Sequence, residues 1–184
     1  MHIALLAPLP PEQNGIADYA GHLKNALQTL GVQVSTPLQG VGNDPLLAVR
    51  RVAEVDWQGI DLVHAEIGGG RLAEFHALRA LRKRFDALPL TATVHDPERL
   101  VWRRSKLPWP LSMANSMPSP LPEIATVLAD PLCLREEQQL ARSLNRLVTL
   151  TQAGSLALRQ RMGLNPQQMA VISHGNLPID PAPL

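Results

Sequence analysis

The sequence predicts an α/β fold: a doubly wound, mostly parallel Rossmann-like sheet of six or more strands with helices on both faces. Two observations predict it. Short apolar runs, each able to form a strand buried on both sides, alternate along the chain with segments of helical periodicity. The polar residues capable of chemistry fall at the ends of those apolar runs, where an open parallel sheet presents its ligand sites.

The elements follow in order. Residues 2–7 (His-Ile-Ala-Leu-Leu-Ala) form an apolar run closed by Pro8, Pro10 and Pro11. A helix is expected over 16–30, with Tyr19, Leu23, Ala26, Leu27 and Leu30 at helical spacing and Gly31 as its stop. Residues 32–36 read as the second strand, and Asp44-Pro45 caps a helix over 44–54. Residues 61–65 form a third strand, and Gly68-Gly69-Gly70 opens a helix over 71–85. The β-branched run at 90–95 is a fourth strand. The segment 105–122 holds Pro108, Pro110, Pro118, Pro120 and Pro122 and is expected to be irregular. A helix resumes over 132–143. Then come a strand at 147–151, a helix at 153–162 and a strand at 169–173. Residues 1–176 form one domain, and 177–184 have the composition of a linker.

Composition excludes several classes. Of 184 residues, 45% are hydrophobic and 18% charged, a globular balance, and the net charge of +1 argues against a nucleic-acid binder. The single Cys133 permits no internal disulfide and no cysteine zinc cluster, and its apolar neighbours suit a buried thiol. The N-terminus lacks a basic secretory front, and no run approaches the roughly 20 apolar residues of a membrane span. The expected location is cytoplasmic. The cations are unevenly spread: Arg71, Arg79, Arg82, Lys83, Arg84, Arg99, Arg103, Arg104 and Lys106 precede Leu107, Trp109, Leu111, Met113 and Met117. That order suits an anionic membrane surface or a lipid-linked acceptor; the alternative is a solvated helix face beside a packed loop.

Four strand ends carry candidate site residues. After the first comes Asn14-Gly15, which reads either as a turn and helix cap or as a place where a phosphate approaches the helix start. Asp18 and Tyr19 follow one helical turn on. The third strand ends in His64-Ala65-Glu66-Ile67-Gly68-Gly69, where His64 and Glu66 share a side of the chain and the glycines can form an anion nest. The fourth ends in His95-Asp96, a histidine able to meet a hydroxyl or phosphate near neutral pH, or a structural histidine beside a capping aspartate. The last ends in His174-Gly175-Asn176. No histidine pair has metal-ligand spacing on a helix, and no Gly-x-Gly-x-x-Gly dinucleotide fingerprint is present.

Read in order, these motifs resemble the N-terminal domain of the family 4 glycosyltransferases, group 1 related retaining enzymes of the two-Rossmann-domain (GT-B) type. Pro10-Pro11 through Asn14-Gly15-Ile16-Ala17-Asp18-Tyr19 is similar to that family's first loop, with Asn14 where a second glycine is commoner. Asp61-Leu62-Val63-His64-Ala65-Glu66 is similar to its third-strand motif, with Glu66 where a histidine is frequent. Thr93-Val94-His95-Asp96 matches its fourth-strand motif. Residues 147–151 and 171–176 are similar to its last strands before the interdomain linker.

The resemblance implies an enzyme half that binds a glycan or lipid-linked acceptor in polysaccharide biosynthesis. It places His95 at the catalytic centre and Asn14 and Gly15 at the donor phosphate. Asp18, Tyr19, His64, Glu66, Gly68, Gly69, Asp96 and His174 fall on the acceptor side. It implies a nucleotide-sugar donor bound by a C-terminal domain that these residues do not include, no metal and no cofactor. On this reading 1–184 alone is inactive and cytoplasmic; a peripheral contact with the inner face of the membrane rests on the basic and apolar residues above. The alternative is a non-catalytic Rossmann-like module that binds a sugar or phosphate.

Overall fold

The computed structural model describes residues 1–101 and 109–174. Arg103, Arg104, Lys106 and Leu107 of the basic-apolar segment, Gly175 and Asn176, and the linker at 177–184 lie outside the described residues. Six strands, β1 (His2–Leu6), β2 (Gln33–Ser35), β3 (Leu62–Ile67), β4 (Leu90–Val94), β5 (Arg146–Thr149) and β6 (Met169–Val171), form one parallel sheet in the order β2-β1-β3-β4-β5-β6. The helices are α1 (Gly15–Thr29), α2 (Pro45–Glu54), α3 (Leu72–Arg84), α4 (Leu121–Ser143) and α5 (Gln152–Met162). The predicted fold class is the observed one.

Strand order dictates where the helices go. The chain steps from β1 outward to β2, then reverses and steps the other way through β3, β4, β5 and β6. Right-handed crossovers therefore put α1 on one face and α2 to α5 on the other. Packing agrees. Ala4, Leu6, Val63, Ala65, Ile67, Ala92, Val94 and Leu147 join Ala48, Val52, Phe75, Leu78, Leu140 and Leu158 in the main core. A smaller core, Leu5, Ala7, Leu9 and Ala20 with Leu23 and Val34, lies under α1.

The helix ends have local causes. Asp44 caps α2, accepting from the backbone N–H of Leu46 at 2.8 Å and Leu47 at 3.1 Å. Gly31, at φ 79°, ends the α1 segment, with its N–H bonded to Gln28 and that of Val32 to Leu27. The start of α3 is capped from a distant loop: Asn43 Oδ1 accepts from Leu72 N–H at 2.7 Å and Ala73 N–H at 3.2 Å.

Several boundaries depart from the sequence reading: β5 and β6 each end two residues early, at Thr149 and Val171, and two departures bear on the site and on α4. Strand β3 runs two residues past Ala65, so Glu66 lies inside the sheet. Helix α4 begins at Leu121 rather than Leu132. Pro122 stands in its first turn, where no helical N–H is required. Pro131 does lie inside the helix and forfeits one backbone bond. It is exposed, while Ala129, Cys133, Glu137 and Leu140 on the opposite side are buried.

The buried stripe of α4 also holds an ion pair. Arg99, 7% exposed, donates to Glu137 at 3.0 and 2.7 Å and to Asp130, while Leu100 N–H donates to Glu137 at 3.0 Å. Burial opposes the charge on Arg99, but the two carboxylates more than offset it and raise its pKa. The loop leaving β4 is thereby fastened to α4.

Candidate functional site

Alternation along the strands sorts the site residues before any loop is considered. Leu5 pairs with His64, His64 with Thr91, and Glu66 with Thr93. His64 and Glu66 therefore share the α1 face with Thr91, Thr93 and, one step past the strand end, His95. Sequence alternation alone placed His64 beside Glu66. The pairing register adds Thr91 and Thr93, which sequence reading missed and which period-two spacing would have supplied once β3 and β4 were aligned.

Glu66 is fully buried between two imidazoles. Its Oε2 lies 2.8 Å from His95 Nε2, and its Oε1 lies 3.2 Å from His64 Nε2 without a hydrogen-bonding direction. Burial would push this carboxyl up, yet the bond from His95 and the nearby charges of His64 and His95 outweigh it and hold it below the usual carboxylate range. His64 is bonded at both ring nitrogens, Nδ1 to Thr91 Oγ1 at 2.8 Å and Nε2 to Thr93 Oγ1 at 3.0 Å. It braces Glu66 from within the sheet.

Tyr19 of α1 closes this group from above. Its ring meets His95 edge-on at 5.1 Å between centroids and His174 edge-on at 5.3 Å. The two histidine rings are 6.4 Å apart. Burial, with the nearby charge of Glu66, raises the Tyr19 hydroxyl above its ordinary range, so it stays a neutral donor. Residues from α1, β3, β4 and the end of β6 thus meet at the carboxyl edge of the sheet.

The first loop is fixed from two sides. Asn14 caps α1, accepting from Ala17 N–H at 2.8 Å. Glu12 accepts from Arg71 at 2.9 Å, and Arg71 also donates to buried Glu74 at 2.6 and 3.0 Å. The turn reading of Asn14-Gly15 and the ligand reading are compatible: a Cβ on Gly15 would meet nothing within 4 Å. Neither packing nor backbone geometry requires glycine there. Asp18 is exposed on the same turn.

Gly68 and Gly69 are occupied within the chain. A Cβ on Gly68 would lie 2.9 Å from both His95 Cβ and Ile16 Cδ1, so glycine lets β3, β4 and α1 close on one another. Gly69 has φ 54°, and its N–H donates to the Asp96 carboxylate at 2.5 Å. That amide of the glycine nest already serves an anion, supplied by the protein.

Five described arginines of the basic stretch are likewise committed. Besides Arg71 and Arg99, Arg79 pairs with Glu136 at 3.2 Å, Arg82 donates to Asp86 O and Asn145, and Arg84 donates to Val52 O and Ala53 O. Among the described residues no group of three or more His, Cys, Asp or Glu is placed to hold a metal ion, and no helix is long and apolar enough to cross a membrane. Two depressions lie away from the histidines, one beside Arg99 and Arg161 and one at the opposite sheet edge beside Trp57 and Phe85.

No family model and no curated protein matches this chain. Among solved structures it is similar to a LacI family transcriptional regulator from Silicibacter pomeroyi, at 14% identity and a TM-score of 0.36, over 96% of this chain and 81% of that one. A likeness of that size carries no argument about function.

Proposed function

We propose that this chain is the acceptor-binding half of a retaining glycosyltransferase, moving a sugar from a nucleotide-sugar to a glycan or lipid-linked acceptor. One observation carries the reading: His95, held by buried Glu66 and flanked by Tyr19 and His174, stands at the carboxyl edge of a parallel sheet. The helix start at Asn14-Gly15 supplies the complementary feature. Its outward amides and positive dipole end suit a departing diphosphate, and the open space over Gly15 leaves room for one. The work required of the protein is to position donors where charge develops, which needs no ion of its own.

The test is sugar transfer by the polypeptide that joins this chain to a donor-binding domain. His95→Ala is expected to lower turnover by about a hundredfold, the usual cost of one positioned electrostatic partner. Near-normal turnover would overturn the role of His95. Glycan binding without transfer in any form of the protein would favour the non-catalytic module.

A peripheral membrane contact has its own support. Trp109, Met113 and Met117 are exposed, as are Leu121, Ile124, Leu128 and Leu132 along one side of α4. With Arg71, Arg79, Arg82, Arg84 and Arg99 bonded internally, this apolar row carries the contact rather than those cations. Co-sedimentation with anionic and neutral vesicles checks it, and no binding to either removes it.

A further inference from the structure

A charged carboxylate is costly to bury, and Glu66 is buried completely within β3. An ionised carboxylate only accepts hydrogen bonds. The 2.8 Å contact between its Oε2 and His95 Nε2 therefore requires the hydrogen to sit on Nε2. A neutral imidazole carrying that hydrogen has its lone pair on Nδ1. Among the described residues nothing hydrogen-bonds Nδ1 of His95, while Tyr19 meets the ring edge-on and the ring of His174 lies tilted to it at 6.4 Å.

His64 cannot exchange roles with it. Thr91 Oγ1 gives its hydrogen to Val63 O at 3.3 Å and so accepts from His64 Nδ1 at 2.8 Å. The other nitrogen of His64 is bonded to Thr93. Two histidines thus flank one carboxylate unequally: His64 is saturated inside the sheet, and His95 keeps one nitrogen unbonded among the described residues.

We infer that Glu66 is a positioning residue that fixes His95 in the Nε2–H tautomer and so leaves Nδ1 as a hydrogen-bond acceptor for a sugar hydroxyl. The ligand class rests on the proposed function; the tautomer does not. On this assignment neutral His95 receives a hydroxyl proton donor, and contact with a diphosphate falls to the amides at the start of α1.

Long-range proton–nitrogen correlation spectra of the chain test this, recorded at about pH 9, above the ordinary histidine range. His95 is expected wholly as the Nε2–H form in the wild type. Glu66→Leu removes the acceptor, and the Nδ1–H form is expected to appear beside it. Glu66→Gln, whose amide oxygen still accepts, is expected to restore Nε2–H. An Nδ1–H His95 in the wild type overturns the inference without any variant having to fold. An unchanged tautomer in Glu66→Leu, or no rescue by Glu66→Gln, also overturns it. Methyl glucoside added to the wild type is expected to move the Nδ1 resonance and leave Nε2–H in place; an unmoved Nδ1 overturns the hydroxyl assignment. Full transfer by His95→Ala would defeat the proposed function instead, so the two failures are distinguishable.

Discussion

On the face covered by α2 to α5, the inward residues of β1, β3, β4 and β5 are Ala4, Leu6, Val63, Ala65, Ile67, Leu90, Ala92, Val94, Leu147 and Thr149, all buried. The α1 face of β3 and β4, and of the residue just past β4, presents His64, Glu66, Thr91, Thr93 and His95. One backbone builds both, because alternate residues of a strand point to opposite sides. The division separates two jobs. One face supplies the apolar burial that holds the fold, so the other can keep a carboxylate and two histidines in a fixed arrangement.

Substitutions on the two faces should therefore have unequal consequences. The largest loss of stability is expected on the apolar face. Phe75 of α3 is fully buried in the main core. Phe75→Ala should cost about 3–5 kcal/mol in urea unfolding, through lost transfer energy and the cavity left behind. A loss below about 1 kcal/mol would mean that the main core does not carry the fold.

The next largest effect tests the seam between the faces. An alanine methyl at Gly68 would stand 2.9 Å from His95 Cβ, which is fixed to the backbone, and 2.9 Å from the terminal methyl of Ile16. Gly68→Ala should cost about 1–3 kcal/mol by forcing β3, β4 and α1 apart. It should also broaden the His95 and Tyr19 resonances, which a substitution confined to a flexible loop would leave sharp.

Periodicity made the elements legible, because a strand's apolar run and a helix's spacing are local signals. The distribution of helices was not legible, since one helix against four follows from strand order, which no local signal encodes. The site was legible residue by residue: His64, Glu66 and His95 stand out as polar groups at apolar run ends. Their joining was not, because Glu66 and His95 are 29 residues apart and meet only through the β3–β4 register. The setting of one cation in the basic stretch was hidden for a related reason. Arg99 reads as a surface charge until α4 brings Glu137 and Asp130 to it.

Two buried carboxylates, one on each side of the sheet, respond oppositely to pH. Glu66 has its pKa lowered despite burial, because two histidines face it. A lowered carboxyl contributes stability that is fully present above the ordinary value of 4.5 and is lost as pH falls through the lower folded value. Glu74, on the α3 side, has its pKa raised by burial, which outweighs its bonds to Arg71. Its contribution runs the other way, fully present at low pH and lost as pH rises through the raised folded value. The stability gap between wild type and Glu66→Gln should therefore narrow as pH is lowered from about 7 to 3, by about 1.4 kcal/mol for every tenfold difference in proton affinity between the folded and unfolded carboxylate. A gap independent of pH would show that the histidines do not hold Glu66 ionised.

The smallest expected change in stability is the most informative about function. Gly15→Ala puts a methyl into open space at a backbone position without left-handed geometry. Stability should move by less than about 0.5 kcal/mol, since a surface substitution away from packing and strain rarely does more. If a phosphate approaches the start of α1, the same methyl stands in its path. Affinity for a nucleotide-sugar in the donor-bearing polypeptide should then fall about tenfold, with stability intact. Gly68→Ala and Gly15→Ala thus form a pair: one glycine is needed by the fold, and the other is needed only if a ligand binds there. Unchanged affinity in Gly15→Ala would leave Asn14-Gly15 as a helix cap alone and take the diphosphate away from this end of α1.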